Sequence, residues 1–351
     1  MRIAQIAPLI ESVPPRLYGG TERVVSYLTE ELVRQGHDVT LFASADSVTA
    51  AKLVPCAPSA LRLEPRSVSA LPHYMVMFEQ LRRRSRDFDL VHFHIDYLHY
   101  PLMREMLVPH VSTLHGRQDL WDLEPLFAEY DDMPLVSISN SQRSPVRSAN
   151  WVGTVYHGAP RDLLPFSPRG GDYLAFLGRI SVEKRLDRAI EIATRAGREL
   201  VVAAKVDKAD RDYFLTDIKP LLDRSPNVRY IGEVNDREKA DVLGGALALL
   251  FPIDWPEPFG LTMIESMACG TPVLGWHCGS VPEIITDGVS GRIVESVYEA
   301  VAAVDELAAL DRRLVRECFE NRFCVERMAA DYLTIYQRLV DRNAASVHTA
   351  A

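Results

Sequence analysis

Apolar residues fall along this chain in two rhythms, short continuous runs and longer stretches at helical spacing. Runs over residues 1–8, 39–43, 89–94, 109–116 and 135–140 have the length of buried strands. Between the first two, Val24, Val25, Leu28, Leu32 and Val33 recur at helical spacing. They predict a helix over residues 22–35, with Thr21 as N-cap and Gly36 closing it. Strand, helix and strand make a βαβ unit, with Gly19-Gly20 just before the helix. Residues 71–88 form a second amphipathic stretch, carrying Met75, Met77, Phe78 and Leu81 before Arg82-Arg83-Arg84.

Proline and glycine then concentrate over residues 159–171, which marks a linker. Beyond it the strand rhythm resumes over 173–177, 200–207, 228–234, 273–276 and 288–294, while residues 246–252 lead into the proline-rich stretch at 255. Helical segments are predicted over 186–196 and 261–268. A last helix over 325–342 places Met328, Tyr332, Tyr336 and Leu339 on one stripe. A chain of 351 residues is too long for one compact core and suits two. The expected division is 1–160, 161–324 and a terminal segment 325–351.

Composition narrows the function classes. Hydrophobic content of 47% and charged content of 25% are those of a soluble globular protein. A net charge of −9 argues against nucleic acid as a partner, since that binding rests on a basic field. Five cysteines without C-x-x-C or zinc spacing fit a reduced cytoplasm. The opening apolar run is too short for a signal peptide, and no run reaches the length of a membrane span.

The chemistry centres on residues 255–291, WPEPFGLTMIESMACGTPVLGWHCGSVPEIITDGVSG. Pro256 and Pro258 hold Glu257 in extended geometry. Gly260 and Leu261 open a short helix containing Glu265, which ends near Gly270 and Pro272. A carboxylate thus precedes a helix start, where free N–H groups and the helix dipole suit a phosphate.

Two glutamates around Pro-Phe-Gly, then Gly-Thr-Pro-Val and Gly-x-x-x-Glu, resemble the family 4 retaining glycosyltransferases, and the resemblance extends over nearly the whole chain. It implies the α/β GT-B architecture, two Rossmann-like domains facing a cleft, with the terminal helix crossing back to the first. It also implies a nucleotide-diphosphate sugar as donor, UDP-linked as first choice, and a hydroxyl acceptor such as a saccharide, natural product or lipid-linked glycan. Glu265 would accept from the ribose hydroxyls, and the base would be read near Val234. Arg179, Lys184 and the N–H groups of Gly260, Leu261 and Thr262 would hold the diphosphate. Glu257, Pro258, Phe259 and Gly260 would hold the sugar, and His115 would face sugar and phosphate with Glu257 as its catalytic counterpart. No cofactor and no metal are implied.

Several features leave alternatives. Gly19 and Gly20 lack the G-x-G-x-x-G spacing of a dinucleotide fold; they serve a turn or, as the resemblance implies, the donor diphosphate. Lys205 stands where relatives carry a small residue, and either adds a third cation to the phosphates or caps its strand in solvent. His157 replaces the usual asparagine. His92, His94 and His99 evoke a metal site but lack a convincing carboxylate, and Asp87-Phe88-Asp89 reads as a turn. The basic end of the 71–88 helix is read as solvated, with peripheral membrane contact the less favoured option. Two rivals to the transferase are a sugar-nucleotide epimerase of the same fold and a non-catalytic nucleotide-sugar binding protein.

Overall fold

A computed structural model describes residues 1–16 and 19–350, with side chains to residue 345. Leu17, Tyr18 and Ala351 lie outside it. The chain divides into two compact units, Met1–Gly158 with Val325–Ala351, and Ala159–Cys324.

In the first unit seven strands form one parallel sheet: β1 Arg2–Ile6, β2 Asp38–Ser44, β3 Lys52–Ala57, β4 Leu90–Phe93, β5 His110–Thr113, β6 Leu135–Ser137 and β7 Trp151–Thr154. Their order is β3-β2-β1-β4-β5-β6-β7, so the direction of travel reverses between β1 and β4. The strands read as continuous apolar runs because helices cover both faces of a parallel sheet. Ile6, Phe42, Phe93 and Leu135 pack with Met77, Phe78 and Leu81 of the helix Leu71–Arg84 in one core. On that helix Arg82 and Arg83 both turn back to Glu79.

The second unit carries β8 Leu174–Arg179, β9 Leu200–Lys205, β10 Val228–Gly232, β11 Ala248–Phe251, β12 Val273–Trp276 and β13 Gly291–Val294. Its order, β10-β9-β8-β11-β12-β13, reverses between β8 and β11. All pairings are parallel. The fold is thus α/β, with two Rossmann-like domains.

Three details differ from the sequence pattern. The first helix begins at Gly20, not at Glu22, so Thr21 lies inside it and Gly19 takes the cap position without a side-chain bond. Strands β3 and β7 carry no clear apolar signal. Both lie at sheet edges, and Pro55 interrupts the one short apolar run and Gly153 the other.

Candidate active site

In open parallel sheets ligands gather at the carboxyl ends of strands where the order reverses. In the second unit that edge is built from the ends of β8 and β11. Gly178 and Arg179 end β8, and Val182–Lys184 makes a turn just beyond it. Pro252 to Gly260 follow β11 and lead into the helix Leu261–Ala268.

Gly260 starts that helix at φ +83°, and a Cβ there would come within 2.6 Å of Met263 Cε. Only glycine adopts this geometry without strain. The first N–H groups of the helix, at Leu261 and Thr262, have no intrahelical partner by the geometry of any helix start. Thr262 Oγ1 beside them is buried and has no hydrogen-bond partner among the described residues.

Glu257 sits three residues before this start, its carboxylate in contact with Lys184 Nζ and accepting from Trp255 Nε1 at 3.1 Å. Lys184 Nζ also lies over the Trp255 ring, 4.9 Å from its centre. The loop is braced by the segment after β12: Ser280 N–H donates to Glu257 O at 3.0 Å and Ser280 Oγ to Phe259 O at 2.8 Å. Gly279, at φ +57°, permits the approach, since a Cβ there would stand 2.4 Å from Glu257 N.

Arg179 pairs with Glu183 at 2.7 Å and stands near Asp210 and Asp207 at 3.6 and 3.9 Å. Lys205 pairs with Asp207 at 2.9 Å. These two cations are therefore compensated by carboxylates that any incoming anion must displace. Glu265, inside the helix and 5% exposed, accepts from Lys239 Nζ at 2.7 Å. Lys239 is itself buried and pairs also with Asp236 at 3.1 Å. Val234 lies between β10 and the helix Asp236–Gly244 and is half-buried.

In the first unit the corresponding edge lies at β1 and β4, with β5 alongside. Gly19 is close-packed, since a Cβ would meet Pro15 Cβ at 2.7 Å, and Gly20 is the exposed first residue of its helix. Glu22 in that first turn is buried, which raises its carboxyl above the usual range. His115 follows β5, and its Nε2 lies 2.9 Å from His94 Nδ1. His157 stacks on it with centroids 5.3 Å apart. Burial lowers His115 to about 3 and keeps His92, His94 and His157 well below their ordinary range, so all four rings are neutral near pH 7.

The sequence motifs thus map onto two groups, one per unit. Lys184, Glu257, Pro258, Phe259, Gly260, Leu261 and Thr262 share one strand-end edge, with Arg179 and Lys205 at the ends of the adjacent β8 and β9. Sequence reasoning missed Lys239, Trp255, Gly279 and Ser280 as supports of the two glutamates. It also missed Gln5, a polar residue in the centre of a buried strand, which is a signal in itself.

Residues 18–180 match the family described as Glycosyltransferase Family 4, and residues 166–320 match Glycosyl transferases group 1. The glycogen synthase of Mycobacterium tuberculosis is 26% identical over 86% of this chain and 86% of its own. Among solved structures, a glycosyltransferase involved in avilamycin A biosynthesis covers 97% of this chain and 98% of its own, at TM-score 0.74 and 24% identity. Anabaena Alr3699/HepE, solved in complex with UDP-glucose, covers 98% of this chain and 100% of its own, at TM-score 0.70 and 15% identity. Two family matches that together span the chain from residue 18 to 320, on two Rossmann-like domains of the GT-B class, establish that the protein belongs to the family 4 glycosyltransferases.

Proposed function

We propose that the protein transfers a sugar from a nucleotide-diphosphate donor, UDP-linked in the first instance, to a hydroxyl acceptor, with retention and without a metal. One observation carries this reading. Lys184 and Glu257 meet beside a helix start whose Thr262 hydroxyl has no hydrogen-bond partner among the described residues, at the edge where the strand order reverses. A cation and free N–H donors suit a leaving diphosphate, and their electrostatic stabilisation supplies what a metal would otherwise supply. Arg179 and Lys205 add charge once the diphosphate displaces Glu183 and Asp207.

Glu265 then accepts from the ribose hydroxyls, with Val234 near the base. Glu257, Pro258, Phe259 and Gly260 hold the sugar. His115, Gly19 and Gly20 are the first unit's residues for the donor's sugar and diphosphate. With no carboxylate assigned a nucleophile's role in this reading, front-face attack, with a phosphate oxygen taking the acceptor's proton, fits better than a two-step displacement. The Anabaena complex supports UDP as the first donor to test. The epimerase and sensor readings draw no support from the relatives named above.

The test is calorimetry with UDP-, GDP- and ADP-sugars, followed by product analysis. Turnover should persist in EDTA, and the product's anomeric configuration, read by NMR, should match the donor's. An inverted product or a strict metal requirement overturns the corresponding part of the proposal.

A further inference from the structure

Behind His115 the first unit holds a buried polar chain, whose other members the reaction scheme does not use. Gln5, at the centre of β1 and fully buried, donates from Nε2 to Tyr336 Oη at 3.3 Å. Its Oε1 lies 2.8 Å from His94 Nε2. His94 Nδ1 lies 2.9 Å from His115 Nε2. Tyr336 Oη also meets His92 Nδ1 at 2.6 Å, and His92 Nε2 meets Thr113 Oγ1 at 2.7 Å. Thr113 Oγ1 in turn meets Tyr332 Oη at 2.9 Å.

Proton positions along this chain follow from what each atom is able to do. The Gln5 carbonyl only accepts, so His94 carries its proton on Nε2. His94 is neutral, so its Nδ1 is a bare lone pair. The proton in the 2.9 Å contact must then belong to His115 Nε2. His115 is neutral in its turn, which leaves its Nδ1 as a lone pair. That atom is buried and has no hydrogen-bond partner among the described residues. His157 stacks at 20° on the ring and fixes its plane. A buried acceptor without a donor is costly unless a ligand supplies one.

We propose that Gln5, His94 and Tyr336 are positioning residues that hold His115 as the Nε2–H tautomer, so that its Nδ1 accepts a hydrogen bond from one hydroxyl of the substrate sugar. The proposal rests on the nucleotide-sugar reading only for the owner of that hydroxyl. The direction of the whole chain is set by one amide: turning Gln5 over would reverse every proton and make His115 Nδ1 a donor. Tyr336, on the terminal helix, fixes that amide by accepting from its nitrogen.

The first experiment reads the tautomer directly, by nitrogen–proton correlation spectra of protein labelled with 15N-histidine, with His115→Asn to assign the signal. The expected spectrum has a protonated Nε2 and a bare Nδ1 on His115 at pH 7.5, and a mixture of tautomers in Gln5→Leu. An Nδ1–H tautomer in the unaltered protein overturns the proposal. If Gln5→Leu does not fold, Tyr336→Phe, which removes a single oxygen, gives the same readout.

The second experiment uses UDP-glucose and its monodeoxy and monodeoxyfluoro analogues. At one position both replacements should lower kcat/KM by at least about tenfold, because fluorine accepts but does not donate. Gln5→Leu should bring the parent donor down towards that level while leaving the matching deoxy donor's rate unchanged. An equal loss for all donors would mean a purely structural role and overturn the proposal. Failure to turn over UDP-glucose defeats the donor reading alone, because the tautomer is measured without a substrate.

Discussion

Lys239 and Glu265 form a buried ion pair, 8% and 5% exposed, at the position proposed for the ribose. Removing Glu265 leaves the buried Lys239 with Asp236 alone, so Glu265→Ala should cost about 3 kcal/mol of stability, the low end for such a pair, as well as nucleotide affinity. Chemical denaturation of Glu265→Ala and of the double variant Lys239→Met with Glu265→Leu separates the two effects. The double variant should recover most of the stability and none of the affinity. Recovery of affinity would mean that Glu265 is structural. Glu257 differs in kind, because its partners Lys184 and Trp255 lie on the strand-end loops rather than among buried helices. Glu257→Gln should leave binding of bare UDP nearly intact and cut turnover roughly 100-fold, as expected when a contact to the transition state is lost. Glu265→Gln should do more of its harm in binding, and equal loss of UDP affinity in both variants would defeat the division of labour.

The short helix Leu261–Ala268 depends on the backbone that introduces it. Gly260→Ala forces a Cβ into a left-handed residue and against Met263, and should cost about 1–2 kcal/mol from the backbone alone. UDP affinity should fall with stability in this variant, because the helix start itself moves; unchanged affinity would remove that start from the diphosphate site. This element was legible in the sequence because proline, glycine and a bounded apolar run fix its start, its end and the position of Glu257. Most strands were legible for a related reason, since burial on both faces leaves unbroken apolar runs. The edge strands β3 and β7 were not, as Pro55 and Gly153 break their short apolar runs. Nor was the partner of either glutamate, because Lys239 and Lys184 approach from elements distant in sequence. Thr21 misled as an N-cap: the helix begins at Gly20 behind a Gly19 packed closely on Pro15, and that packing leaves no mark in local propensity.

Titratable histidines are divided unequally over the molecule, and this gives the two units different responses to acid. His92, His94, His99, His110, His115 and His157 are all in Met1–Gly158, and burial depresses all six. Ala159–Cys324 contains one histidine, His277, and its side chain is 57% exposed. A histidine that is neutral when folded takes up a proton on unfolding once the pH falls below about 6.5, its unfolded value. The unfolded state then binds more protons than the native one, so stability decreases as the pH is lowered. The stabilisation is fully present above pH 6.5 and drains away down to about 4 for His110 and about 3 for His115. Each such group contributes a slope of up to about 1.4 kcal/mol per pH unit within its window. The depressed imidazoles all lie in the first unit, so between pH 6.5 and 4.5 the loss they cause should fall there. Hydrogen exchange read by mass spectrometry at stepped pH should show protection lost first in β1, β4 and β5, while β8, β11 and β12 hold. A parallel loss in both units would defeat the prediction that the buried imidazoles set the first unit's sensitivity to acid.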